Sequence, residues 1–204
     1  MRFSILNGDP RNARLCEILC EEGREARLFE QDNAGEAAEY GDVIVLPVKG
    51  VPGDLFNGFL HDGQTLVTGE DFLSREDFAV LNAIPTAEGA LEIAMSEMPV
   101  TLHGSSALVI GHGRVGKVLC ERLLALGARV TASARRDADF AWMDARGVMP
   151  AYTLRLDGTL HRYDVIFNTV PHLTLPSARL RELKPGCVII DLASSPGGAG
   201  MRMG

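Results

Sequence analysis

The chain has 204 residues, 46% of them hydrophobic and 23% charged, with a formal net charge of −7. That length supports one large or two small globular domains of ordinary composition. No apolar run approaches the roughly 20 residues that span a bilayer, the N-terminus is too polar for a signal-peptide core, and the acidic balance argues against nucleic acid, so a cytoplasmic protein with neither membrane nor nucleic acid as partner is expected.

The first segment predicts a strand at residues 3–6, a turn at 7–10, and a helix with Leu15, Ile18 and Leu19 on one face. Asp9 suits its N-cap and Pro10 its first turn. Cys16 and Cys20 lie in this helix; with Cys120 and Cys187 they lack zinc spacing, so no metal is expected and all four read as small buried hydrophobes. A second strand is expected at 26–29 and a third at 42–47, where DVIVLP is apolar enough to be buried on both faces. Weaker strands are expected at 65–68 and 78–81. Strands alternating with helices indicate parallel α/β architecture.

Between two prolines, residues 85–99 (PTAEGALEIAMSEMP) predict one helix joining two domains, with Thr86 able to cap it and Glu88 near its positive end. The expected division is therefore a flavodoxin-like α/β domain over 1–85, a linking helix over 86–99 and a dinucleotide-binding domain over 100–204. The fold class is two doubly wound parallel-sheet domains, the second a Rossmann domain.

The second domain opens on ALVIGHGRVG, residues 107–116, an apolar strand that breaks into GxGxxG before an amphipathic helix. Gly111 permits the turn, Gly113 lets a pyrophosphate approach the backbone, and Gly116 lets helix and strand pack closely. His112, Arg114 and Val115 lie inside the turn, where phosphate or ribose contacts are expected. His103, before the strand, is at the wrong end for catalysis and reads as structural. A second strand is expected at 128–133. In a domain that prefers NAD, an acid about 20 residues beyond the turn binds the ribose 2′-hydroxyl. Here Ser133, Ala134, Arg135 and Arg136 occupy those positions, and a hydroxyl beside guanidiniums suits a 2′-phosphate, predicting NADP. The alternative is that the arginines form a solvated strand end.

A helix at 139–146, a strand at 148–153 and two strong strands at 164–168 and 187–191 follow. Ligands sit beyond the carboxyl ends of such strands, so Asn168 and Thr169, with Val170 and Pro171 after them, and Asp191 and Ser194 are expected to face the nicotinamide and its ribose; the alternative is ordinary loop caps. The ending SSPGGAGMRMG has no apolar periodicity and reads as a bare tail, leaving five strands where six are usual.

The segments NGDPRN (7–12), VLPV (45–48), IPTAEG (84–89), LHGS (102–105), GHGRVGK, LGARVTASAR, FNTVP and IIDLASSPGG run in order through nearly the whole chain, which resembles the family of dipicolinate synthase A subunits. The resemblance implies NADP-linked oxidation of dihydrodipicolinate or a hydroxytetrahydrodipicolinate to dipicolinate, in the mother-cell cytoplasm of a sporulating bacterium. It also implies partnership with a flavoprotein-like B subunit, possible homo-oligomers, and a fold similar to alanine and 2-hydroxyacid dehydrogenases with the substrate cleft between two domains. Family members continue past PGG with a strand and a helix; this chain ends in AGMRMG and reads as truncated. An inactive NADP-binding protein is one alternative, and a dehydrogenase of another small amino or hydroxy acid a second.

A dicarboxylate substrate needs cationic or amide donors. Asp9 and Arg11 at the first strand tip, and Thr86 and Glu88 on the linking helix, are the candidates: Arg11 as carboxylate clamp, Glu88 or Asp9 as base, Thr86 as substrate contact. Lys49, after VLPV, is a further substrate-binding candidate. For each, a cap or surface role is the alternative.

Overall fold

The computed structural model describes residues 1–51, 53–193 and 197. Ser194 and, apart from Gly197, the rest of the predicted tail lie outside the described residues. The chain divides into two compact units, Met1–Ala79 and Val80–Gly204, each built on a parallel sheet.

In the first unit, β1 (Arg2–Leu6) leads through a tight turn into α1 (Pro10–Glu21). Asp9 is the N-cap: it is extended, and its carboxylate accepts from the Arg11 backbone N–H, while Pro10 fills the first position, where no N–H is needed. β2 (Glu25–Phe29), α2 (Ala34–Tyr40), β3 (Val43–Val45), β4 (Thr65–Val67) and α3 (Gly69–Leu73) follow, and the sheet order is β2-β1-β3-β4. Leu6, Ile44 and Leu46 pack against Ala34, Ala37 and Ala38 of α2 and against Phe56. The small α2 residues let that helix lie close to the strands.

The strand expected at 78–81 is instead part of α4 (Glu76–Glu97), a helix of 22 residues that starts ten residues before the expected linking helix. Four apolar residues in a row do not distinguish strand from helix; here Glu76 and Asp77 supply the acidic first turn. Thr86 is consequently no cap. It lies inside the helix, and its hydroxyl donates to the Asn82 carbonyl at 2.7 Å.

The second unit carries β5 (Ser106–Ile110), α5 (Arg114–Ala125), β6 (Arg129–Ala134), α6 (Asp137–Ala145), β7 (Met149–Tyr152), β8 (Val165–Asn168), α7 (Ser177–Leu180) and β9 (Val188–Asp191). The order β7-β6-β5-β8-β9, parallel throughout, is the doubly wound order of a dinucleotide-binding sheet. β5 explains its own apolar run. Ala107 and Val109 face the core formed with α4 and α5, Leu108 and Ile110 face the opposite core with Leu156, Leu160 and Leu175, and all four strand residues are fully buried. On α5, Gly116, Leu119, Cys120 and Leu123 make the buried stripe. Of the cysteines, only Cys120 is fully buried, and burial pushes its thiol up to about 12; Cys20 is exposed, against expectation, because it lies on the solvent side of α1.

Register fixes the site. Ile110 stands opposite Ser133 on one side and Asn168 on the other, and Asn168 opposite Asp191, so four strand ends form one row. The chain leaves β5 for β6 in one direction and returns through β8 in the other, which opens the crevice above β5.

Candidate functional site

Each glycine of the turn between β5 and α5 has a separate physical reason. Gly111 has φ +98, and a Cβ there would lie 2.5 Å from Thr169 Oγ1 and 2.8 Å from Val170 Cγ2. A Cβ on Gly116 would fall 2.2 Å from the Gly111 carbonyl oxygen, so only glycine lets α5 start so close to β5. Gly113, the N-cap of α5, is different: a Cβ there would meet no protein atom within 4 Å. The fold does not require that glycine. The space its side chain would fill lies at the N-terminus of a helix, where unpaired N–H groups and the helix dipole favour phosphate, and this fits a pyrophosphate.

Beside the turn lies a cleft of about 700 Å³, lined by Gly111, His112, Gly113, the end of β6 from Ser133 to Arg136, Asp139, Thr153, and the loop after β8 with Thr169, Val170 and Pro171. Of the expected cofactor contacts, Arg114, Val115, Gly116, Asn168 and Asp191 are not on this wall. The cleft reaches the end of β6, the position at which dinucleotide-binding sheets of this order hold a ribose.

The charges are sorted by pairing. Arg136 makes a two-pronged bond to Asp139, Nε to Oδ2 at 2.9 Å and Nη2 to Oδ1 at 3.0 Å. The guanidinium holds the Asp139 carboxyl below the usual carboxylate range, so the acid in the cleft is already neutralised. Arg179, on α7, is gripped by both oxygens of Asp157 and by the Thr174 carbonyl at 2.8 Å, pinning the loops that close the cleft. Arg135 is exposed and, among the described residues, has no hydrogen-bond or ion-pair partner. Ser133 lines the cleft with a fully buried side chain, and its hydroxyl accepts from Thr153 Oγ1 at 3.1 Å. Arg135 is the exposed donor beside it.

Asn168 is also fully buried. Its amide donates to Asp191 Oδ1 at 2.8 Å and to the Val170 carbonyl at 3.1 Å, and its oxygen accepts from Thr174 Oγ1 at 2.9 Å. Its side chain therefore shapes the loop that carries Thr169, Val170 and Pro171 rather than pointing into the cleft. Thr169 is tied back by its hydroxyl to the Ile110 carbonyl at 2.9 Å.

Of the expected substrate residues, Asp9, Arg11 and Lys49 belong to the first unit and Thr86 and Glu88 to the second. Within the first unit, Asp9 and Arg11 hold one another: Arg11 Nε donates to Asp9 Oδ1 at 2.9 Å, and Nη2 to Oδ2. Arg11 and the helix N–H hold the Asp9 carboxyl at about 2, which makes Asp9 a poor base at neutral pH and occupies the clamp. Lys49 is exposed in the loop after β3. In the second unit, Glu88 is largely exposed on α4 and pairs with Arg122 at 3.0 Å, and it is not on the wall of the dinucleotide cleft.

The Asp9 pair has a pH consequence. Its folded pKa lies below the ordinary value, so its stabilisation is complete above about pH 4 and is lost as pH falls toward 2. In Arg11→Gln the Asp9 titration, followed by carboxyl NMR, is expected to move up yet stay below the ordinary value, because the backbone N–H still donates; an unchanged midpoint would contradict the pairing.

The comparisons agree with this geometry. Residues 85–196 match the family model of the D-isomer specific 2-hydroxyacid dehydrogenase, NAD binding domain. The chain is 37% identical to the dipicolinate synthase A subunit of Bacillus subtilis (strain 168) over an alignment 248 residues long, covering 99% of this chain and 84% of that protein. The crystal structure of the dipicolinate synthase A subunit from Bacillus halodurans superposes with a TM-score of 0.80 at 24% identity, covering 98% of this chain and 84% of that one. A transhydrogenase structure from Sinorhizobium meliloti gives 0.71 at 18% identity, covering 98% and 71%. At those identities the two superpositions speak for the fold alone.

Proposed function

The chain belongs to the family of dipicolinate synthase A subunits, and from that premise we propose that it is an oxidoreductase subunit that binds NADP and converts dihydrodipicolinate to dipicolinate. The observation that carries the cofactor choice is Arg135: a guanidinium at the end of β6 with no partner among the described residues, in a cleft whose acid is already bound to Arg136. A 2′-phosphate gains a charge-assisted bond there, whereas the 2′-hydroxyl of NAD finds no free carboxylate.

The oxidation removes a hydride and a proton from the ring and leaves an aromatic pyridine; a hydroxytetrahydrodipicolinate first loses water. Bound nicotinamide supplies the hydride acceptor. The chain's own part is to hold the pyrophosphate on the Gly111 to Gly116 turn and α5, seat the adenosine between Arg135 and the Val170 to Pro171 wall, and keep that wall rigid through Asn168. The reading includes partnership with a flavoprotein-like B subunit, in the cytoplasm of a sporulating mother cell. No helix among the described residues is long and apolar enough to cross a membrane.

The test is dipicolinate formation from dihydrodipicolinate and NADP by this chain with a B subunit, followed by the ultraviolet absorption of the pyridine product. Turnover is the expected result. Tight cofactor binding without turnover would overturn the catalytic reading in favour of a binding protein.

A further inference from the structure

His112, the second residue of the glycine turn, is 6% exposed, and its Nδ1 is buried with no hydrogen-bond partner among the described residues. Buried ring nitrogens are ordinarily paired, so an unpaired one marks a place where a partner is missing. His112 lines two spaces. One is the dinucleotide cleft; the other is a separate cavity of about 410 Å³ beside α5, lined also by Lys117, Cys120, Glu121 and Arg146. Lys117 and Arg146, the C-cap of α6, form no ion pair among the described residues, and Arg146 only rests on the Trp142 ring. With Glu121 as the single acid on its wall, the cavity is net positive before His112 takes a proton.

We propose that this second cavity binds a small oxyanion, inorganic phosphate being the simplest, on Lys117, Arg146 and the His112 ring, and that His112 links its occupancy to that of the dinucleotide cleft. The chemistry is that of an imidazolium, which donates from both nitrogens, at a residue that lines both spaces. The groups that face the ring are Lys117 from α5, Asp139 from α6 and Arg146 after it. Burial, reinforced by Lys117, keeps the empty-site ring neutral, and Asp139 opposes this only in part. An oxyanion in the second cavity offsets the two cations and favours the charged ring, which then presents a second donor toward the pyrophosphate turn. Coupling is reciprocal, so each ligand tightens the other. The second clause of the proposal rests on the dinucleotide reading; the anion site does not.

The experiment follows the histidine ring resonances of the whole chain, without dinucleotide, as inorganic phosphate is added against sodium chloride of equal ionic strength. The His112 titration midpoint is expected to rise by about one unit, a tenfold change in proton affinity. The rise should vanish in Lys117→Gln/Arg146→Gln and persist in Gly113→Ala, which obstructs the pyrophosphate position alone. A response equal in the double variant, a response lost in Gly113→Ala, or no response overturns the site. For the linkage, phosphate should tighten NADPH binding about threefold or more in the native chain and not in His112→Asn; an unchanged affinity in the native chain overturns the linkage and leaves the anion site standing.

Discussion

Gly113→Ala should leave the protein folded and reduce dinucleotide affinity by about 100-fold or more, a loss of roughly 3 kcal/mol of binding. The methyl group meets no protein atom within 4 Å, and as an N-cap change the substitution costs on the order of 1 kcal/mol of stability, small enough to leave the chain folded. Its cost falls on the ligand, because the methyl occupies the space beside the α5 N-terminus where the pyrophosphate must touch backbone. Gly111→Ala is the matched control with the opposite signature. At φ +98 and 2.5 Å from Thr169 Oγ1 the added carbon is both strained and overpacked, which costs about 3 kcal/mol of folding stability. Urea unfolding and calorimetric binding on the two variants separate these effects. A Gly113→Ala chain that binds as well as the native one would contradict the proposed pyrophosphate position.

Asn168→Asp should destabilise the second unit by about 3 kcal/mol at neutral pH, more than removal of an ordinary hydrogen bond. The native amide donates to Asp191 at 2.8 Å in a fully buried position; a carboxylate in its place sets two negative charges against one another and strips a donor from each partner. The sign with pH is fixed. Such a pair raises the folded pKa of the new acid, so stability is recovered as pH falls and protonation restores a donor. Unfolding midpoints at pH 7 and pH 5 should therefore converge on the native value in acid. Asn168→Leu, which keeps the volume without charge, should lose less and show no such pH dependence. Equal losses at both pH values in Asn168→Asp would show that the tie between β8 and β9 is not electrostatic.

Legibility in the sequence followed burial on both faces. DVIVLP, ALVI, DVIFN and VIID announce β3, β5, β8 and β9 because a parallel strand between two layers has no polar side to show. Helices of four to seven residues such as α2, α3 and α7 complete at most two turns and leave no periodic trace. Phe78 to Leu81 misled as a strand for the same reason: so short an apolar run carries no period of its own. In the site, the glycines and Arg135 were readable from spacing alone. The neutralisation of Arg136 by Asp139 was readable too, from a three-residue spacing at a helix start. Arg179 was not, since Asp157, which holds it by both carboxylate oxygens, comes from 22 residues away. Asp9 and Arg11 were read as substrate groups because two residues apart at a strand tip suits that role, but the same spacing lets them satisfy each other.

The most direct test of the account is a pair of dissociation constants, NADPH and NADH, measured by calorimetry on the native chain and on Arg135→Gln. The native chain should bind NADPH at least about tenfold more tightly, the worth of one charge-assisted bond to the 2′-phosphate, and the variant should lose that preference with its NADH affinity unchanged. Equal affinities in the native chain, or a preference that survives the loss of Arg135, would contradict it.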